Sequence, residues 1–258
     1  MMQALDRRQL LALFASAAVP FGAAAQISKT LGRLVIIGGA EDRKQDRIIL
    51  RKFLELSGGP NAKIRFITAA SGVPDTVWAS YQAVFQDLGA LNCEVVPLLT
   101  REDASKPEVV SMLAEGAPTP SPQKDTVLMD IGLSFMPNAI VDQHFSQRQR
   151  LSRLLSALAQ RPDLLGVGID EDTALIIEPN QSVEVVGRGA VTLVDPRRMR
   201  SNSDKAEDGD KLEMLGLQLH LLPAGSRYAL ANAPKNRKPQ VPFWDALAVL
   251  AKTGAMRG

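Results

Sequence analysis

The sequence predicts one α/β domain, a mostly parallel sheet flanked by helices with a β-rich C-terminal part. Three observations predict it. Apolar, β-branched runs alternate with segments of helical spacing through the first hundred residues; small-residue loops close those runs at their carboxyl ends; and several short strands follow one another closely after residue 165. A chain of 258 residues that is 45% hydrophobic and 22% charged is long enough to bury a single large core.

Residues 32–37 form a short apolar run closed by Gly38 and Gly39, the pattern of a buried first strand with a loop at its end. Residues 46–57 carry Ile48, Ile49, Phe53 and Leu56 at helical spacing until Gly58, Gly59 and Pro60 stop them. A second strand is expected over 63–68 with a small-residue loop at 69–73, then a helix over 76–88 and a third strand over 94–99. Such alternation implies parallel pairing through right-handed crossovers, with sites at the carboxyl ends of the strands.

Pro118, Pro120 and Pro122 forbid regular helix and make 115–124 a loop. Apolar patterning resumes at 126–129 and 139–141. Residues 145–160 read as a helix with Leu151, Leu154, Leu155 and Leu158 on one face and Pro162 beyond its end. Strands are expected at 166–169, 174–177, 182–186 and 190–194, with Gly187 and Gly189 at the last turn. Residues 196–211 read as a solvated charged loop, 215–222 as a further strand ending at a turn over 223–225, and 233–242 as a surface tail. There are no internal repeats.

A formal charge of +2 and sparse aromatics point to no nucleic-acid partner. The single cysteine, Cys93, excludes an intrachain disulfide and reads as a buried core thiol. Residues 1–25 have the layout of an export signal: Arg7 and Arg8, an apolar run over 10–19, and Ala23, Ala24 and Ala25 before Gln26. The arginine pair suits the twin-arginine route and the rest suits a Sec signal equally. The run is shorter than the about 20 residues a bilayer span needs. Residues 26–258 are therefore expected to be one soluble periplasmic or extracellular domain, without membrane attachment.

Only His144 and His220 can serve a histidine-dependent mechanism. His220 alternates with Leu219 and Leu221 in a strand, the setting of a structural side chain. His144 stands where a strand passes into a helix. Residues four apart share a helix face, which would put His144 and Arg148 together, and Asp142 is placed to cap the helix or to face the same cleft. A base, a carboxylate and a guanidinium at a strand's carboxyl end suit an anionic substrate; a capped helix with solvated arginines is the alternative.

Asp142-Gln143-His144-Phe145, followed by Arg148 and Arg150, resembles the histidine motif of the cyanophycinases, serine exopeptidases that degrade multi-L-arginyl-poly-L-aspartate. Ile36-Ile37-Gly38-Gly39-Ala40-Glu41-Asp42 resembles that family's opening strand and Gly-Gly-x-Glu-Asp loop. Gly168-Ile169-Asp170-Glu171-Asp172-Thr173-Ala174 is similar to its Gly-Ile-Asp-Glu-x-Thr-Ala segment, and Gly132-Leu133-Ser134-Phe135-Met136-Pro137 parallels the turn before its histidine. The match runs in order from Leu34 to Asp195. It implies a flavodoxin-like sheet related to the class I glutamine amidotransferases and aspartyl dipeptidase, shortened here by loss of a central unit. It also implies His144 as general base, Asp142 as the carboxylate for an arginyl group and Arg148 as the guanidinium for an aspartyl carboxylate. The implied ligand is cyanophycin or another aspartyl or arginyl peptide, with no cofactor and no metal; a homodimer is one arrangement the resemblance allows.

The family's nucleophile lies in Gly-x-Ser-Ala-Gly, a tight turn that exposes the hydroxyl and aims backbone N–H groups at the oxyanion. No such motif occurs here. Ser134 lacks the second glycine, Ser71 has Ala69 where the first belongs, and Ser226 comes far too late. The Gly-Gly-Asp-Gln loop is missing too. Between Asp103 and Glu115 the chain passes at once to the loop that follows the serine helix in the family, so a unit of about 30 residues or more is expected to be absent. Glu115 is the candidate for the triad acid, with a solvated loop glutamate as the alternative. Three functions follow: a cyanophycinase-like peptidase without its nucleophile, a non-catalytic module for arginyl-aspartyl peptides, or an unrelated metal hydrolase using Asp170, Glu171 and Asp172. The last is weakest, because consecutive carboxylates on a strand cannot all face one ion.

Overall fold

The computed structural model describes residues 32–100, 102–103, 136–179, 181–207, 210–233 and 242–253. The expected export signal, Glu115 and its loop, the strand at 126–129 and Ser134 lie outside the described residues.

The first third follows the expected alternation: β1 (Leu34–Ile37), α1 (Ile48–Leu56), β2 (Lys63–Ile67), α2 (Pro74–Asp87) and β3 (Asn92–Val96). β2 and β3 pair in parallel with α2 as their crossover, Lys63 opposite Asn92 and Ile67 opposite Val96. Leu50 and Leu54 of α1, Ile64 of β2, and Val84 and Phe85 of α2 form a core of their own. The Phe66 ring joins it to Trp78, Tyr81 and Phe85 at centroid distances of 5.2, 5.8 and 5.4 Å. Cys93 lies half-buried at the margin, and burial pushes its thiol up from the ordinary range.

A second parallel unit consists of β4 (Ala139–Gln143), α3 (Leu151–Gln160) and β5 (Leu165–Ile169). From there the chain doubles back repeatedly through β6 (Thr173–Ile177), β7 (Ser182–Gly187), β8 (Ala190–Asp195), β9 (Arg200–Ser201), β10 (Met214–Leu215), β11 (Gln218–Pro223) and β12 (Arg227–Ala229), and α4 (Pro242–Thr253) follows. One sheet has the order β1-β6-β7-β12, another β11-β8-β5-β4, and β9 and β10 form a small ribbon. The fold is thus mixed α/β, and the expectation of a mostly parallel sheet is corrected. Among the described residues parallel pairing is confined to β2–β3 and β4–β5, and every other pair is antiparallel. The reason lies in the connections. A parallel crossover takes a dozen residues or more, whereas β5 joins β6 through 170–172 and β7 joins β8 through 188–189.

The two four-stranded sheets share one core: Val167 and Ile169 of β5, Leu175 and Ile177 of β6, Val183 and Val185 of β7, and Val191 and Leu193 of β8. Ala246, Leu247 and Leu250 of α4 close it. This helix went unread in the sequence, although Pro242 at its start and the spacing of Phe243, Leu247 and Leu250 signal it. On the other face of β5, α3 packs so closely that a Cβ at Gly166 would stand 2.8 Å from Leu158 Cδ1. Leu151, expected on the apolar face, is exposed, while Leu154 and Leu158 are buried. The helix also begins later than expected, because residues 144–150 form turns with His144 (φ 52°) and Gln149 (φ 50°) left-handed. Likewise Gly216 (φ 80°) splits the strand expected at 215–222 into β10 and β11.

Leu247 is fully buried, so Leu247→Ala should destabilise the chain by about 2–5 kcal/mol in denaturant unfolding. A shift under 1 kcal/mol would show that α4 does not complete the core. His220 makes a second prediction. Its Nε2 is buried without a partner, and its ring stands edge-on to Phe243 of α4 at 5.4 Å. Burial lowers its pKa from the ordinary 6.5, against an opposing pull from Asp195. The folded chain therefore favours neutral imidazole; that stabilisation is complete above about pH 6.5 and is lost as pH falls. Tm should drop between pH 7 and pH 5, and His220→Leu should flatten the slope; an equal slope in the variant contradicts this origin.

Candidate active site

Three loops meet at the carboxyl ends of β1, β4 and β5. Alternation along β4 sends Ala139 and Val141 into the shared core and Ile140 toward α3. Asp142 follows Ile140 to the α3 side, and Gln143 turns toward β1, where its Nε2 donates to the Ile37 carbonyl at 2.6 Å. The chain then bends sharply at His144, whose amide donates to the Gly38 carbonyl at 2.8 Å, while the Phe145 amide donates to Ile169 at 3.1 Å.

The His144 imidazole lies directly over Gly39. A Cβ on Gly39 would come within 2.6 Å of both Cε1 and Nε2, and the residue is left-handed (φ 89°), so glycine alone fits without strain. Nδ1 of His144 is 2.7 Å from Glu171 Oε1. An ionised carboxylate can only accept, so Nδ1 is the donor of this pair, the tautomer that in a neutral imidazole leaves the lone pair on Nε2. Nε2 makes no hydrogen bond to a described residue, and the side chain is 26% exposed. A carboxylate holding an imidazole in this tautomer is the base half of a Ser-His-acid arrangement. Sequence reasoning did not single out Glu171 as a partner of His144, although it stood in the Gly-Ile-Asp-Glu segment; Glu115, the residue considered for the triad acid, lies outside the described residues.

The three consecutive carboxylates serve three separate tasks. Asp170 accepts from the Ser146 amide at 3.1 Å and from the Ser146 hydroxyl through one oxygen, and from the Ala190 amide at 3.1 Å through the other. Glu171 holds His144, and its amide donates to Gln147 Oε1 at 3.0 Å. Asp172 accepts from the Asp42 amide at 2.9 Å and pairs with Arg188 at 3.3 Å. They do not converge, and among the described residues no group of three or more His, Cys, Asp or Glu is placed to hold a metal ion. Asp42 in turn accepts from the amides of Arg47, Gln45 and Lys44, which hold its carboxyl far below the usual carboxylate range.

Asp142 is 4% exposed and its carboxylate is already engaged, by Arg150 Nη1 at 2.9 Å and by Arg153 at 3.6 Å. Arg150 also donates to the Gln143 carbonyl at 2.8 Å, so the pair braces the turn that carries His144. Arg148 is exposed, and its amide donates to the His144 carbonyl at 3.1 Å. The two residues share a turn and not a helix face, which corrects the helical-spacing argument that joined them.

No family model matches the sequence. Curated relatives do. The chain is 32% identical over 266 positions to the cyanophycinase of Geminocystis herdmanii, covering 81% of this chain and 95% of that one. It is 30% identical over 267 positions to the cyanophycinase of Synechococcus elongatus, with 82% and 83% covered. With the cyanophycinase of Nostoc sp. it shares 30% over 261 positions, with 80% and 87% covered. An alignment of 267 positions is longer than the whole chain, so that relative carries residues with no counterpart here. A solved peptidase from an acI-B1 actinobacterium overlays 77% of this chain and 97% of its own at a TM-score of 0.47 and 17% identity, a likeness too distant to carry weight. With 30–32% identity over four-fifths of its length, the chain belongs to the cyanophycinase family.

Proposed function

We propose that this chain is an exported cyanophycinase-type serine peptidase by descent that, as it stands, does not hydrolyse multi-L-arginyl-poly-L-aspartate. The observation that carries the reading is the His144–Glu171 pair over Gly39, a base and its orienting acid whose Nε2 makes no hydrogen bond to a described residue. In the family's chemistry such a base takes the proton of a serine hydroxyl as the oxygen attacks the scissile carbonyl, and returns it to the departing amine. Here no Gly-x-Ser-x-Gly turn is present to supply that oxygen. Ser146, two residues from the base, has its hydroxyl engaged by Asp170.

Loss of an interior unit between β3 and β4 accounts for this together with two further features. The alignment to relatives exceeds the length of the chain. Among the described residues the β2–β3 pair stands without a third strand, and Ile67, Val73 and Leu99 at its carboxyl end are exposed. A flavodoxin-like ancestor, with β2 and β3 inside a larger parallel sheet, gives those edges and side chains their cover.

A second reading, a module that binds arginyl-aspartyl peptides without cleaving them, is favoured by Arg148. Its guanidinium is exposed beside the His144 turn and forms no ion pair with a described residue, so it is open to an aspartyl carboxylate.

Incubated with insoluble cyanophycin, the chain should release no arginyl-aspartate, since removal of a nucleophile costs roughly six orders of magnitude in turnover. Release that a serine-directed inhibitor abolishes would refute the reading. In titration calorimetry with an arginyl-aspartate dipeptide, Arg148→Ala should weaken binding about tenfold or more, as loss of a charge-assisted hydrogen bond does. Absence of heat with folded protein would remove the binding reading.

A further inference from the structure

The loop after β1 holds two successive left-handed residues, Gly39 (φ 89°) and Ala40 (φ 47°). The second lacks glycine's freedom, and a strained residue of this kind persists only where its surroundings hold it. From the β4 and β6 side the hold is backbone: Gly38 N donates to Thr173, His144 N to Gly38 and Asp172 N to Gly39, at 2.9, 2.8 and 3.0 Å.

From the other side it is a side-chain clamp carried by α2. Glu41, only 8% exposed, accepts a hydrogen bond from the Tyr81 hydroxyl. Arg43 lies 3.7 Å from the same carboxylate, donates to Ser80 Oγ at 3.3 Å, and sets its guanidinium 5.2 Å over the Tyr81 ring. Burial, then the adjoining Glu41 carboxylate, push the Tyr81 hydroxyl well above its ordinary range, so it stays a protonated donor. α2 is itself anchored by Val84 and Phe85 in the second core, and the Tyr81 ring leans on Phe66. The strained loop is therefore tied to a rigid element that belongs to a different core from the one beneath His144.

The geometry points to Tyr81 as a positioning residue: through Glu41 it pins Gly39 and Ala40 beneath the His144 imidazole and so sets the access to Nε2. A buried carboxylate deprived of its donor is driven toward water. Glu41 released in this way draws the loop outward and uncovers the ring. The inference rests on the reading of His144 as the base of the site.

Carbethoxylation of the full chain with diethyl pyrocarbonate, followed by peptide mass spectrometry, reads His144 directly, and His220 with its buried Nε2 is the internal reference. In Tyr81→Phe, which keeps the ring and removes the hydroxyl, His144 should react about tenfold faster relative to His220, the change expected when a charge-assisted hydrogen bond no longer opposes local opening. Glu41→Gln, which still accepts from Tyr81, should stay near the unaltered ratio. An unchanged ratio in Tyr81→Phe, whatever its Tm, overturns the proposal, as does equal acceleration in Glu41→Gln. If Tyr81→Phe does not fold, hydrogen exchange on the unaltered chain decides. Amides of 39–42 and 79–82 opening with one common free energy support the clamp, and independent opening overturns it. Dipeptide titration separates the two ideas: binding lost with the reactivity contrast intact removes the functional reading alone, and the reverse removes only the clamp.

Discussion

The hydrogen bond from the His144 amide to the Gly38 carbonyl joins the end of β4 in one four-stranded sheet to the end of β1 in the other. With the Gln143 side chain on Ile37 beside it, this bond fixes where the two loops meet, and the remaining site geometry follows. The imidazole then lies over Gly39. Glu171, arriving from the turn after β5, meets its far nitrogen. The arrangement needs close approach of backbone to backbone: a side chain at Gly38 would collide with the Asp170 carbonyl.

That closeness is bought with strain. Ala40, His144 and Asp172 are all left-handed without being glycine, each at a cost of about 1 kcal/mol, and all three lie on the loops that converge here. The surrounding bonds over-determine them. Asp170 ties the His144 turn to β5 and β8, Arg150 and Asp142 brace it from α3, and Asp172 ties the β5–β6 turn to the first loop. Strain concentrated in a few converging loops and restrained by the scaffold is the pattern of a functional site. Among the described residues those restraints come from β1, β4, β5, β6, β8 and α3.

The antiparallel sheets carry a larger core than the parallel β2–β3 pair, which among the described residues has no third strand beside it. Residues of β5 to β8 and of α4 that are buried completely make one continuous core, whereas β2 and β3 rely on α1, α2 and a ring cluster around Phe66. The site lies at the edge of the first core and is tied to the second through Glu41, Arg43, Ser80 and Tyr81. Its geometry therefore depends on both.

Periodicity and glycine placement alone determined the existence of most elements, the loop at Gly38 and Gly39, and the position of His144 at the end of a strand, because hydrophobic spacing and turn residues act over a few neighbours. Four segments in order also carried the family, through the residues that shape its loops. Which strands pair, and in which direction, was decided only by tertiary contact, since short strands of identical pattern can pair either way until their connections meet. The same holds for the site. Asp142 and Arg148 stood out by their spacing from His144, yet the buried carboxylate went to Arg150, and the acid on the imidazole came from Glu171, twenty-seven residues on. Long-range partners are chosen by where loops converge in space, and no local pattern in the chain encodes that convergence.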